Sequence, residues 1–173
     1  VISQEYEVLG ELKGKELENI EYEQLLPYVK PDKKAFYAAL GDFVTTEDGT
    51  GIVHTASVFG ADDFRVANAN GIVSILVTDE EGNKVPLVNK QGRFVKEVTD
   101  FAGEYVKEEY LTEEEKEAER KKQGRDKYLS VDERISIKLK NENKAFKVER
   151  YEHSYPHCWR TDKPVLYYPL DSW

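Results

Sequence analysis

The length and charge of the chain limit the classes of protein to which it can belong. It has 173 residues, of which 39% are hydrophobic and 34% charged, and its formal net charge is −9. This length fits one domain with a core, or one domain with an appendage. The acidic balance argues against a broadly basic surface that grips a nucleic-acid backbone. It leaves open a partner that is held mainly by the rest of a larger protein.

Counts of single residue types indicate the compartment. Cys158 is the one cysteine, so the chain forms no internal disulfide, and a reducing, cytoplasmic location is expected. No apolar run approaches the roughly 18 residues of a membrane helix, so no membrane partner is expected. The first ten residues lack the basic start and apolar run of a signal peptide. Because the sequence contains no methionine, we expect a processed chain or a fragment, and favour a fragment.

The first half of the chain is predicted to form strands followed by a helix. Apolar residues indicate strands over 35–45 and 51–55, joined by a turn at Glu47-Asp48-Gly49. A helix follows, with Asp62 as its cap and Gly71 after its end.

The second half is predicted to open with a hairpin and continue with two helices. The stretch "IVSILVTDEEGNKVPLV" is predicted to form a buried strand, a turn at Glu81-Gly82-Asn83 and a second strand, which Pro86 marks as an edge. Each helix begins with the spacing of a capping box. The first box is Thr112 and Glu115, and the second is Ser130 and Glu133.

The two helices differ in their apolar pattern. The first, which ends at Gly124, has no apolar stripe and is expected to face solvent, with Glu117 and Lys121 as a supporting pair. The second is expected to pack, because Val131, Ile135 and Leu139 form a stripe. The whole predicts a mixed α/β fold with a curved mixed β-sheet and peripheral helices.

A histidine and two carboxylates surround a tight glycine turn. His54 ends the second predicted strand, Phe59-Gly60 forms the turn, and Asp62 and Asp63 follow. A structural role is the more frequent one for acidic residues at a helix start, because the exposed amides and the macrodipole favour negative charge. If Asp62 is the cap, however, Asp63 lies in the first turn and can face a ligand such as an ammonium group. A histidine at a strand end is more often a rim residue than a functional one.

Other kinds of site have weaker support. His153, His157 and Cys158 lie close in sequence, but Thr161 stands where paired-cysteine spacing needs a second thiol, so no metal is expected. The chain has no nucleophile elbow and no phosphate-cradling glycine loop. Hydrolysis, if any, is therefore expected to use activated water and a positioned substrate.

Four stretches resemble bacterial isoleucyl-tRNA synthetases. They are "DGTGIVHTASVFGADDFRV" and "YEHSYPHCWRTDKPVLYYPLDSW", together with "GRFVKEVTDFAGEYVK" and "KGKELENIEYEQLLPYV". They cover nearly the whole chain in order. Valyl and leucyl enzymes share the glycine-threonine-glycine strand, whereas "GIVH" and "FGADD" are of the isoleucyl kind.

The resemblance implies the inserted editing domain of that family, with the barrel-like sheet of class I synthetase editing domains. Residues 1–173 would be one domain fragment with a helical insertion at 108–142, and the family's threonine-rich strand would lie upstream. The carboxylate matching Asp63 holds the α-ammonium of a wrongly attached amino acid. The histidine matching His54 lines the side-chain pocket and excludes isoleucine. The expected substrate-binding residues are Gly51, Phe59, Gly60 and Asp62.

The implied reaction is hydrolysis of valyl-tRNA(Ile) at the 3′ end of the tRNA. A synthetic pocket gains only about 1–3 kcal/mol of binding free energy from one extra methylene group. The discrimination of isoleucine from valine is the standard example of this limit. The remaining domains of the synthetase would be partners. Editing needs no cofactor, and ATP serves the separate synthetic site. The alternative is a non-catalytic structural or tRNA-docking insertion, which Ser57 supports because relatives usually have proline there. A third, weaker hypothesis is that the domain belongs to a related enzyme and removes threonine from its tRNA.

Overall fold

The structure is a computed structural model that describes residues 5–47, 49–150, 152, 154–168 and 170. It divides into two compact units, the first formed by Val1–Ile75 with Tyr168–Trp173 and the second by Leu76–Tyr167. The mixed α/β composition predicted from the sequence is confirmed. In chain order the described elements are a 3-10 helix at Gly14–Leu17, α1 at Ala61–Ala69, β1 at Leu76–Thr78, β2 at Lys84–Pro86, a 3-10 helix at Glu108–Tyr110, α2 at Glu113–Lys122 and α3 at Val131–Asn141.

In the first unit, antiparallel backbone pairing extends over only a few residues. Glu21 and Tyr37 form an antiparallel bridge. Next to it, the Asn19 N–H donates to the Ala38 carbonyl at 2.8 Å and the Tyr22 N–H to the Phe36 carbonyl at 3.1 Å. These contacts do not extend into a regular strand.

The two strands predicted in this unit are therefore wrong. The range 35–45 takes part only in the bridge at Tyr37, and 51–55 forms no strand. Ile52 and Val53 are 72% and 54% exposed, so their apolar side chains pack against no neighbouring strand. An apolar run becomes a strand only when a partner satisfies its backbone. Within the predicted turn, Asp48 lies outside the described residues.

Helix α1 ends as predicted, at a glycine. Gly71 has φ +63°, a left-handed conformation that glycine adopts without steric cost. The Ile72 N–H donates to the Ala67 carbonyl at 2.8 Å and closes the helix end. Ala67, in the last turn of α1, is 2% exposed, so the buried face of the helix packs at that turn.

The second unit contains the predicted hairpin in a shorter form. β1 and β2 are antiparallel, with Leu76 opposite Pro86 and Thr78 opposite Lys84. The first strand predicted in the stretch from Ile72 thus begins only at Leu76. Pro86 ends β2 in a two-stranded sheet, where its missing N–H interrupts no interior ladder.

The buried apolar residues of the second unit come from several segments. They are Val77, Val88, Val98, Phe101 and Val131. Both predicted capping boxes are present, at the start of α2 and of α3. α2 buries no residue, and α3 packs through Val131, as the two apolar patterns predicted. The elements that lie within 108–142 are helical, while the status of that range as an insertion stays a prediction.

A barrel is not formed by the part of the chain that the structure describes. Its one regular sheet has two strands, and two strands cannot close. The mixed composition is therefore confirmed, and the barrel-like curvature is not.

Candidate functional site around Asp63

The carboxylate of Asp63 lies half-buried in the first turn of α1. Burial, which disfavours the charged form, is the largest influence and raises the pKa of Asp63 above its ordinary value. A hydrogen bond from the backbone amide of Ala56 acts in the opposite direction, as does the positive charge of His54. Asp63 is thus a partly desolvated anion with a backbone donor on one side and a histidine nearby.

Asp62 does not cap the helix, and that prediction is wrong. The N-cap position is Gly60, and no side chain bonds to the helix amides from it. Asp62 is exposed and pairs with Arg65, one turn along, at 3.0 Å. The chain enters the helix through a glycine conformation, which places Asp62 in the second helical position and turns it towards solvent. No contact of Asp62 supports its predicted role in substrate binding, which stays a prediction.

His54 and Asp63 are near enough to interact electrostatically. His54 is exposed, and its positive charge lowers the pKa of Asp63. The 51–55 segment that carries His54 is an extended connection without strand pairing. The predicted roles of the two residues stay predictions, and the placement of His54 on a strand is wrong.

The other predicted substrate-binding residues shape the connection that leads to Asp63. Gly51 has φ +73°, and a Cβ added there would lie 3.2 Å from Thr46 Cγ2. Phe59 meets the Tyr168 ring edge-on, with ring centroids 6.1 Å apart. The Phe59 N–H donates to the Ala56 carbonyl at 3.1 Å, which closes the turn before α1. Gly60 follows that turn with φ +112°.

Sequence reasoning missed two members of this group. Ala56 acts through its backbone amide, and a main-chain donor leaves no signal in the identity of a side chain. Tyr168 is far from Phe59 in the sequence, and it was only one of several aromatic residues near the end of the chain. No local spacing relates the two rings.

The histidine and cysteine cluster does not come together as a metal centre in the described residues. His153 lies outside them, and no group of three metal-binding side chains is found among the others. His157 Nδ1 lies 2.8 Å from the Tyr155 carbonyl oxygen. A hydrogen bond from the Thr161 side chain, with the Arg160 and Thr161 amides, lowers the pKa of the Cys158 thiol. The expectation of no metal stays a prediction.

Two pockets on the described part of the second unit have volumes of about 400 and 330 Å³. Phe101, Arg125 and Arg134 are among the residues that line the first, and Lys127, Tyr128 and Arg150 are among those of the second. Asp63 and His54 line neither. In the described residues, no helix has the length and apolar character needed to cross a membrane.

No family model matches the chain, but segments of several known proteins are similar to it. A segment of the isoleucine–tRNA ligase of Cytophaga hutchinsonii is 73% identical over 168 residues, which are 97% of this chain and 15% of the relative. The isoleucine–tRNA ligase of Porphyromonas gingivalis is 47% identical over 97% of the chain, again 15% of the relative. The chain belongs to the isoleucine–tRNA ligase family. The isoleucine–tRNA ligase of Clostridium acetobutylicum is 41% identical over the whole of this chain, which corresponds to 14% of the length of that relative.

The family assignment concerns one segment of these ligases. The chain spans about 15% of the length of the curated relatives it matches. It is related to aminoacyl-tRNA synthetases, which act in protein biosynthesis, and the resemblance seen in the sequence is confirmed.

Proposed function

We propose that this chain is the editing part of an isoleucine–tRNA ligase and hydrolyses the ester of valyl-tRNA(Ile). The observation that carries the proposal is the position of Asp63. Its carboxylate is half-buried at the start of α1 but does not occupy the capping position, which belongs to Gly60. Helix capping therefore does not account for it. A partly desolvated carboxylate is suited to binding an ammonium group, whose charge favours the ionised form.

The proposed reaction needs no covalent intermediate on the protein. Asp63 binds the α-ammonium of the valyl group and thereby fixes the ester carbonyl beside a water molecule. Water adds to the carbonyl carbon, the bond to the ribose oxygen breaks, and that oxygen takes a proton. The products are free valine and uncharged tRNA. Backbone amides and the terminal ribose hydroxyls stabilise the oxyanion that forms on the way.

His54 is proposed to limit the substrate by size. It is exposed, and its charge acts on Asp63. A side chain beside the ammonium site is positioned to meet the amino-acid side chain of the substrate. Gly51 and Phe59 would keep the chain that carries it in place. In the complete ligase, this segment is proposed to join a curved, barrel-like sheet in the cytoplasm, without a cofactor for editing, while ATP serves the synthetic site.

The proposal is tested by deacylation of valyl-tRNA(Ile) with a full-length ligase that carries this segment. Asp63→Ala should slow hydrolysis about 100-fold, because loss of substrate positioning costs that much. Asp132→Ala is the matched control, since Asp132 is also an acidic residue in the first turn of a helix but lies in the second unit. It should deacylate like wild type. Aminoacylation with isoleucine, unchanged in all variants, shows that the ligase is folded.

Two results would overturn the proposal. If Asp63→Ala clears the valyl ester at the wild-type rate, Asp63 has no part in editing. If the wild-type ligase leaves valyl-tRNA(Ile) intact, the segment is a structural or tRNA-docking insertion. Threonyl-tRNA, assayed in parallel, tests whether the substrate is threonine.

His54→Ala tests the size limit separately. Shortening this side chain should let the ligase begin to hydrolyse isoleucyl-tRNA(Ile), which wild type spares, while valyl-tRNA(Ile) is still cleared. If the variant continues to spare the isoleucyl ester, size exclusion by His54 is wrong. The role of Asp63 is independent of that result.

A further inference from the structure

The turn before α1 brings three backbone features to one place. The Phe59 N–H donates to the Ala56 carbonyl at 3.1 Å, and the Phe64 N–H donates to the Gly60 carbonyl at 3.0 Å. Between these bonds, Gly60 has φ +112° and ψ 133°. Residues with a Cβ rarely adopt this conformation. The abrupt entry into the helix therefore depends on a residue without a side chain.

The carboxylate of Asp63 occupies the space that a side chain at Gly60 would need. A Cβ added to Gly60 would overlap Asp63 Oδ2 and lie 3.3 Å from its Cγ. Gly49 and Gly71 also have positive φ angles, of +71° and +63°, but a Cβ added to either would meet no atom within 4 Å. Gly60 thus combines a conformational requirement with a close approach by the carboxylate.

The surroundings of the carboxylate also include Ala56, whose backbone amide lowers the pKa of Asp63. Asp63 is half-buried, and its carboxylate rests against the bare α-carbon of Gly60, which limits its freedom to rotate. Such restriction is what a positioned anion requires, because small displacements from the productive geometry are costly.

We propose that Gly60 is a positioning residue for editing: because it has no side chain, it leaves space for the Asp63 carboxylate, which is thereby set to receive the substrate ammonium. The inference rests on the proposed editing function. It adds that the position of the carboxylate, and not only its charge, determines activity. Gly60 acts through Asp63 and takes no part in the chemistry itself.

The test uses valyl-tRNA(Ile) deacylation by the full-length ligase. Gly60→Ala should displace the carboxylate and reduce the rate about 100-fold. Gly71→Ala is the matched control, because Gly71 lies at the other end of the same helix, has φ +63° and has free space around it. It adds a Cβ at another residue of positive φ without touching Asp63, so its deacylation rate should stay close to that of wild type.

A double-mutant cycle separates positioning from general structural damage. In an Asp63→Ala background, Gly60→Ala should cause no further loss, since the group through which it acts is already gone. Asp63→Glu provides a second variant that leaves the turn glycine in place. It retains the charge but is too long for the space over Gly60, and it should also lose activity.

The possible outcomes distinguish an error in the inference about Gly60 from an error in the proposed editing function. Wild-type deacylation by Gly60→Ala or by Asp63→Glu overturns the inference, as does an undiminished effect of Gly60→Ala in the Asp63→Ala background. If Asp63→Ala is itself harmless, the proposed function falls and this inference falls with it. If Asp63→Ala loses activity while Gly60→Ala retains it, only the inference about Gly60 is wrong.

Discussion

At the Asp63 carboxyl, burial and hydrogen bonding act in opposite directions on the pKa. Burial dominates, so the pKa in the folded protein lies above the ordinary value of 3.8. The folded state therefore holds this proton more tightly than the unfolded chain does. The contribution to the free energy of unfolding is largest below the ordinary pKa and is lost as pH rises through the folded-state pKa. We expect Asp63→Asn, which does not titrate, to remove this dependence.

Asp79 provides a control with the opposite sign. The Asn83 backbone amide donates to Asp79 Oδ1 at 2.7 Å and is the main cause of a lowered pKa. Its stabilisation is present above the ordinary pKa and is lost as pH falls through the folded-state pKa. Denaturant unfolding between about pH 3 and pH 6 should thus give opposite pH trends for the differences between wild type and Asp63→Asn or Asp79→Asn. Equal trends would show that burial does not dominate at Asp63.

The two capped helices show how similar local chemistry has different consequences. The Ser130 hydroxyl accepts from the Glu133 amide at 3.2 Å, and Thr112 accepts from Glu115 at the same distance. Removing such a cap costs about 1 kcal/mol of helix stability. Val131, directly after Ser130, is 5% exposed, whereas α2 buries no residue. We therefore expect Ser130→Ala to lower the global free energy of unfolding by about that amount.

Thr112→Ala should mainly loosen α2 without exposing any of the core. Its denaturation midpoint should stay near that of wild type, while amide protons in the first turns of α2 exchange faster with solvent. Urea unfolding combined with hydrogen exchange distinguishes the two variants. A loss of global stability as large for Thr112→Ala as for Ser130→Ala would show that α2 unfolds together with the core.

The elements also explain which parts of the fold the sequence predicted. Capping boxes depend on side chains three residues apart, so Ser130 with Glu133 was sufficient to locate the start of α3. A strand depends on a partner elsewhere in the chain, and the apolar pair Ile52 and Val53 has none in the structure. At the site, the sequence correctly predicted that Asp63 lies in the first turn of α1, but it placed His54 on a strand that does not form. The sequence did not predict the space beside Gly60 that the Asp63 carboxylate occupies, because that space results from the φ angle of Gly60.

For the whole molecule, charge sets the expected dependence of tRNA binding on salt. The chain has 34 acidic and 25 basic residues, giving a net charge of −9. Such a chain can neutralise few phosphates, so we expect it to engage the single-stranded end of the tRNA while the rest of the ligase binds the duplex. Single-stranded RNA releases about 0.7 counterions for each phosphate that is neutralised. One phosphate contact predicts about threefold weaker binding after a fourfold rise in salt, and six contacts predict more than about 300-fold.

The measurement is fluorescence anisotropy with a labelled single-stranded RNA ending in CCA, at about 50 and 200 mM salt. The 173-residue chain should show the shallow dependence of one or two phosphate contacts. The full-length ligase with intact tRNA(Ile) should show a steep one. A steep dependence for the isolated chain would mean that its basic residues are concentrated on one face and bind RNA directly. The net charge would then conceal a phosphate-binding surface, and this segment would do more than receive the terminal nucleotides.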